Sequence, residues 1–242
     1  MVFKEFGNCN MPVIIFIHGG GLSWWSWKVQ IKKLERDYHV IVPVIDGHGD
    51  DYNTTSMSIE KSAEKILEYI NENCNGRVFL ICGFSIGSQI TVEILSRKCD
   101  VTENALVCPM GTILPVSLFM SKIFYGPIKK RWYSKVQAKA LKIPDKLFET
   151  YYKDSSKMTK ESLINMLRSN GTYNIPKNLH KTRAKVLIIV GEKELKIMRK
   201  SAVLLHNTIR GSILKVIPKS QYGEISLRYP SKYLSLLKRF FI

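Results

Sequence analysis

Val78-Phe79-Leu80-Ile81-Cys82 runs directly into Gly83-Phe84-Ser85-Ile86-Gly87, and a stretch of helical period follows from Ile86 to Ser96. An unbroken apolar run of this length suits a strand buried on both faces of a parallel sheet. A sharp strand-to-helix turn crowds the backbone on either side of its central residue. Glycines two before and two after Ser85 are what such a turn needs. The turn would lift the Ser85 hydroxyl off the sheet edge and set it at a helix N-terminus, where developing negative charge is favoured. An ordinary glycine turn is the plainer reading of the same five residues. The placement between a buried strand and a helix weighs for a nucleophile.

The pattern repeats on both sides of this point. Val13–Ile17, His39–Val44, Ala105–Cys108, Val186–Val190 and Ile213–Ile217 are further short runs rich in Val and Ile. Helical stretches separate them. In Ser58–Cys74, residues Ile59, Ala63, Ile66, Leu67 and Ile70 share one face, and Ser58 stands as an N-cap before Glu60 and Lys61. Leu195–Ile209 and Ser231–Phe240 are the later helix candidates. Strand and helix in alternation predict a doubly wound α/β sheet, mostly parallel, of about six strands with helices on both faces. After Pro109 the rhythm breaks. Only helical pieces appear (Ser134–Leu141, Asp145–Tyr152, Lys160–Leu167), punctuated by Pro115, Pro127, Pro144 and Pro176, until the sheet pattern resumes at Val186. Residues 109–184 are therefore expected to form a helical lid inserted into a core made of 1–108 and 185–242.

Composition narrows the class. In 242 residues, 45% are hydrophobic and 10% aromatic, enough for a real core and too much for a disordered chain. The five cysteines, at 9, 74, 82, 99 and 108, form no C-x-x-C pair and suggest neither a disulfide framework nor a zinc site. Cys82 and Cys108 lie in apolar runs and read as core fillers. No metal or cofactor motif is present, so none is expected. The first apolar run, Pro12–Ile17, is too short for a signal sequence or a membrane span, and a reducing cytoplasm is the expected compartment. The net charge of +17 is concentrated: residues 109–185 carry 16 Lys and Arg against 4 Asp and Glu. Lys129-Lys130-Arg131-Trp132-Tyr133 opens the basic part of the lid, a surface able to attract anionic membranes or acidic substrates. Lysine outnumbers arginine 27 to 10 and is spread along the chain, which also fits an ordinary solvated surface. No recognition motif accompanies the charge, so nucleic acid is not expected as a partner.

His18-Gly19-Gly20-Gly21 ends the first strong strand. Glycines let main-chain N–H groups approach a ligand closely, so a donor from Gly20 or Gly21, paired with the N–H of Ile86, would make an oxyanion hole. A glycine turn without chemistry is the alternative. In order along the chain stand this run, then Asp46-Gly47-His48-Gly49 after the second strand, then the Ser85 turn after the third. In this the sequence resembles the α/β-hydrolase fold family, and most closely small bacterial esterases and lipases of the monoacylglycerol lipase type. The likeness covers nearly everything from Met11 onward. The two leading strands of the full fold are expected to be mostly absent.

The resemblance implies a serine hydrolase with a triad in the order serine, acid, histidine. Its acid usually follows the strand after the lid, as Gly-x-x-Asp; here Gly191-Glu192-Lys193-Glu194 puts Glu194 in that place. Its histidine usually follows the last strand. Here Pro218-Lys219-Ser220-Gln221-Tyr222-Gly223 puts Tyr222 there, and no histidine occurs after His206. A phenol of ordinary pKa ~10 is a poor base at neutral pH. His206 is expected roughly 15 Å down its helix from the carboxyl edge. His39 and His180 are expected near the opposite edge, and in the family His18 and His48 belong to structural turns. A small ester or lipid-like substrate with an apolar acyl or aryl group is implied. Trp24, Leu118 and Phe119 are candidates to line its pocket, although simple packing of the lid explains the apolar stretch Leu114–Met120 nearly as well. Loss of the histidine leaves a second reading open, a binding or regulatory protein on a degenerate hydrolase scaffold.

Overall fold

The computed structural model describes residues 1–108, 125–127, 129–221 and 224–242. Seven strands form one sheet: β1 (Val2–Phe6), β2 (Val13–Ile17), β3 (His39–Val44), β4 (Val78–Phe84), β5 (Thr102–Cys108), β6 (Lys185–Gly191) and β7 (Ile213–Ile217). Their order is β1-β3-β2-β4-β5-β6-β7, with every neighbour parallel except β1, which runs antiparallel to β3. The expected mostly parallel sheet is borne out, with seven strands among the described residues where about six were expected, and one leading strand is present. Val2-Phe3-Lys4-Glu5-Phe6 lacks the continuous apolar run that marks a central strand, because an edge strand need not be buried on both faces. Its polar residues are used in place: Glu5 accepts from Tyr69 Oη at 2.6 Å and meets His39 Nε2 at 2.9 Å. Phe3 stacks on Tyr69 with ring centroids 3.8 Å apart.

Helices cover both faces. One face carries α2 (Ile59–Asn73), α3 (Ile86–Arg97) and α7 (Lys196–Thr208); α1 (Lys28–Leu34) and α8 (Pro230–Phe240) cover the other. In α2 four of the five residues predicted to face inward, Ile59, Ala63, Ile66 and Ile70, are fully buried, and Leu67 is partly buried against the same core. Each isoleucine so placed contributes roughly 1.5–3 kcal/mol. Ser58 Oγ accepts from the Lys61 N–H at 3.2 Å, a cap of the kind that contributes about 1 kcal/mol. On the other face Trp27 is buried between Phe16 and Tyr233, at centroid distances of 4.8 and 5.4 Å, and so anchors α1.

Between β5 and β6 lie α4 (Arg131–Ala140), α5 (Phe148–Ser155) and α6 (Lys160–Thr172). Thr159 caps α6 by accepting from the Ser162 N–H. Three side chains of α6 then satisfy core backbone groups. Ser162 Oγ accepts from the Ser56 N–H at 3.0 Å, Ser169 Oγ from the Ile59 N–H at 2.9 Å, and Asn165 Nδ2 donates to the Ser56 carbonyl at 3.0 Å. Trp25 Nε1 donates to Asp154 of α5 at 2.7 Å. Among the described residues no helix is long and apolar enough to cross a membrane.

Candidate active site

The site grows from the crossing of β4 into α3. Ser85 has φ 59° and ψ −123°, a positive-φ conformation that a residue with a Cβ adopts only under strain. Two glycines make it sterically possible. A Cβ on Gly83 would collide with the Gly87 carbonyl and Thr91 Oγ1, and one on Gly87 would collide with the carbonyl oxygens of Ile17 and His18. Ser88, which sequence reasoning did not single out, ties the turn down. Its Oγ lies 2.7 Å from the carbonyls of Gly83 and Cys108 and accepts from the Cys108 N–H at 3.0 Å. The Ser85 N–H donates to the Cys108 carbonyl at 3.2 Å, which leaves Ile86 as the first residue of α3. Its N–H belongs to the opening turn, whose donors have no acceptor within the helix.

The glycine run lies beside this turn. A Cβ on Gly19 would stand 3.1 Å from the Ser85 Cβ, and one on Gly20 would stand 4.0 Å from Ile86 Cγ2. The predicted donors and the predicted serine are therefore brought together. Two residues unseen in the sequence close over the same run. Met166 of α6 places Sδ 3.0 Å from where a Gly20 Cβ would be, and the Tyr151 ring of α5 is 3.7 Å from the corresponding position on Gly21. Nothing in the pattern of α6 marks Met166 apart from any other apolar residue. Only the packing reveals it.

The Trp24 ring packs on Phe6, 5.8 Å between centroids, while its neighbour Trp25 holds α5. Leu118, Phe119 and Tyr222 lie outside the described residues.

The turns after β6 and β7 interlock. The Glu192 N–H donates to the Ile217 carbonyl at 2.9 Å and the Lys193 N–H to the Ser220 carbonyl at 3.0 Å. The Lys219 N–H donates to Glu192 Oε2 at 2.8 Å, and the Gln221 N–H to Glu224 Oε2 at 2.9 Å. Gly191 permits this closeness, since a Cβ there would run into the Ser220 carbonyl. Glu194 stands at the end of the β6 turn. Burial pushes its carboxyl up to about 7, against a backbone hydrogen bond at Gly191 and with some help from the Glu224 carboxylate. Cys108, whose carbonyl holds Ser85, has its thiol pushed up to about 12, mainly by burial and also by Glu194. Serine turn, β5 end and acid turn are thus neighbours along the carboxyl edge of β4, β5 and β6.

The five histidines have other work. His18 is fully buried and pushed down to about 3 by burial and by His48; Nδ1 faces the Gly19 carbonyl at 2.9 Å and Nε2 accepts from the Ile45 N–H at 3.1 Å. A neutral ring with both nitrogens engaged is a brace for the glycine run. His48 Nδ1 lies 3.0 Å from the Asp46 carbonyl, in a turn where Asp46 also takes Lys65 Nζ at 2.6 Å. His206 meets Ser212 Oγ at 2.9 Å, His39 meets Glu5, and His180 Nδ1 lies 2.7 Å from the Lys177 carbonyl. No cluster of His, Cys, Asp and Glu fit for a metal ion occurs among the described residues.

Comparison with known proteins points the same way as the geometry. The chain is 23% identical over 115 residues to an AB hydrolase superfamily protein of Gibberella zeae, a match covering 47% of this chain and 41% of that protein. The chain thus spans less than half the length of this curated relative. In fold it is similar to the enol-lactonase from Burkholderia xenovorans, with a TM-score of 0.83 at 14% identity over 99% of this chain and 95% of that one. It is likewise similar to an esterase from Exiguobacterium antarcticum, with a TM-score of 0.82 at 17% identity over 99% and 94%. A family profile described as the alpha/beta hydrolase family matches residues 14–203, a span that holds the glycine run, the strained serine and Glu194. With that profile covering most of the chain, and with this sheet order and this turn at Ser85, the protein belongs to the alpha/beta hydrolase family.

Proposed function

We propose that the protein is a serine hydrolase of carboxylic esters, with Ser85 as nucleophile. The observation that carries this reading is the backbone of Ser85 itself: a positive-φ serine, sterically enforced by two glycines, beside a second glycine run at a helix N-terminus. Strain of this kind persists only where the surroundings impose it, and it clusters at sites of chemistry. In the proposed reaction Ser85 Oγ attacks the ester carbonyl and gives up its proton, and the N–H groups of Gly20 or Gly21 and of Ile86 receive the oxyanion. Collapse of the tetrahedral adduct breaks the ester C–O bond, the leaving alkoxide takes up a proton and departs as the alcohol, and water then cleaves the acyl-Ser85 ester to release the acid and restore the serine. With Tyr222 at the histidine position, solvent water takes the Ser85 proton in place of an imidazole, so turnover is slow; a site lacking one triad member retains roughly 10³–10⁴-fold over water. Glu194 is placed to orient a histidine at 222 if one is supplied. The segment 109–184 acts as a lid, with Met166 and Tyr151 against the acyl or aryl group. Similarity in fold to an esterase and to an enol-lactonase supports ester chemistry.

The test is labelling with a fluorophosphonate probe together with hydrolysis of short nitrophenyl esters. Parent protein should label slowly and Ser85→Ala not at all. No labelling of the parent, with no turnover, would favour the second reading: a binding protein on a degenerate scaffold, to which the tyrosine at 222 lends weight.

A further inference from the structure

Helix α4 turns its apolar side chains outward. Trp132 and Val136, one turn apart, are 66% and 59% exposed, whereas Ser134 and Ala138 face inward. At 100° per residue, the exposed positions Arg131, Trp132, Lys135, Val136, Lys139 and Ala140 all fall within one half of the helix circumference. Lysines therefore flank the tryptophan and valine rather than opposing them. From 129 to 142 the chain has six Lys and Arg and no acid. Arg131 is drawn away, ion-paired with Glu149 and set over the Phe148 and Tyr152 rings, and Lys129 lies over the Tyr125 ring. The only described ring beside Trp132 is Tyr133, edge-on at 5.7 Å.

A face that is both apolar and cationic needs a partner that is apolar and anionic at the same depth. A second copy of this chain fails, because a two-fold contact would set these lysines against themselves. Nucleic acid supplies charge but gives Val136 nothing to enter. The boundary between headgroups and acyl chains of an acidic bilayer supplies both: it takes tryptophan rings at headgroup level and lysine stems that reach back to phosphate. We propose that α4 is a docking helix for anionic phospholipid surfaces, with Trp132 and Val136 inserted and Lys135 and Lys139 on the headgroups. This proposal does not depend on catalysis.

The experiment is sedimentation with vesicles of phosphatidylcholine containing about 30% phosphatidylglycerol, against phosphatidylcholine alone, near physiological salt. The parent should bind the acidic vesicles only, with a blue shift in tryptophan emission that Trp132→Phe removes. The pair Trp132→Ser with Val136→Ser keeps the net charge and should bind at least ~10-fold more weakly. Lys135→Ala with Lys139→Ala should lose roughly 10-fold or more. Both pairs are exposed, so unchanged melting curves are expected and serve as the folding control. Ser85→Ala should bind like the parent, which separates this proposal from the hydrolase reading. Serine-pair binding equal to the parent's, with no blue shift, would reduce the effect to diffuse charge and overturn the proposal. So would self-association, or oligonucleotide binding, that depends on Trp132.

Discussion

The carboxyl edge of the sheet has two halves, built to different standards. On one side, β4, α3 and the glycine run hold Ser85 by steric exclusion, by Ser88 and by a neutral His18 whose two nitrogens are both engaged. On the other side, the turns after β6 and β7 are just as firmly interlocked, through Gly191, Glu192 and Glu224. On the reading proposed above, this second half has Glu194 in the place of the family's Asp and Tyr222 in the place of its His. Among the described residues both halves are held by backbone hydrogen bonds and close glycine contacts; on the proposed reading they differ in the chemistry hung on them. On that reading, a backbone device outlasts the side chain it was built to aim.

The comparison is sharpened most by placing a histidine at 222. Tyr222→His should raise ester hydrolysis by ~10²–10³-fold, and Ser85→Ala in that background should remove the whole gain. No gain in initial rates would mean that the second half has lost more than one residue. Next in size are two glycine substitutions that probe whether the halves are equally rigid. Gly87→Ala and Gly191→Ala each drive a Cβ into a backbone carbonyl, and each should lower stability by roughly 2–4 kcal/mol in urea titrations. A negligible change at Gly191 alone would show the second half to be loose after all.

Glu194 gives a pH signature. Its carboxyl is raised from the ordinary 4.5 to about 7 by burial. The stability that the protonated form contributes is full below pH 4.5 and is lost as pH rises through about 7. Glu194→Gln should flatten that decline, seen in melting temperature between pH 5 and pH 8. In the Tyr222→His background, activity should climb through pH 7 as the carboxylate ionises and orients the imidazole. In Glu194→Gln this climb should disappear. Smallest is Met166→Ala, which opens room at Gly20 and should shift kcat/KM toward bulkier esters by ~10-fold with little change in kcat for small ones.

Much of this was legible beforehand, for identifiable reasons. Buried parallel strands announce themselves as apolar runs, so β2 to β7 stood out, and the spacing of glycines around Ser85 marked the turn. Edge strand β1 did not, because Lys4 and Glu5 break the run and their partners, Asp50 and His39, are distant in sequence. The Trp24 contact with Phe6 was not legible, because a tryptophan beside a glycine run has no sequence feature to say which way its ring turns. Met166 was missed because its importance lies wholly in which atom of another segment it touches. Glu194 was singled out by its spacing from Gly191, whereas the upward push on its pKa is a property of burial that no motif encodes.

Three polar side chains on α6, at positions 162, 165 and 169, complete hydrogen bonds that the core cannot make for itself. The segment between β5 and β6 is thus less interchangeable than loops between strands usually are. A chimera that swaps in another enzyme's helices would strand the Ser56 and Ile59 amides unless it brought a hydroxyl, an amide and a hydroxyl at the same three-and-four spacing. Anyone grafting new specificity onto this scaffold should begin by copying that triplet.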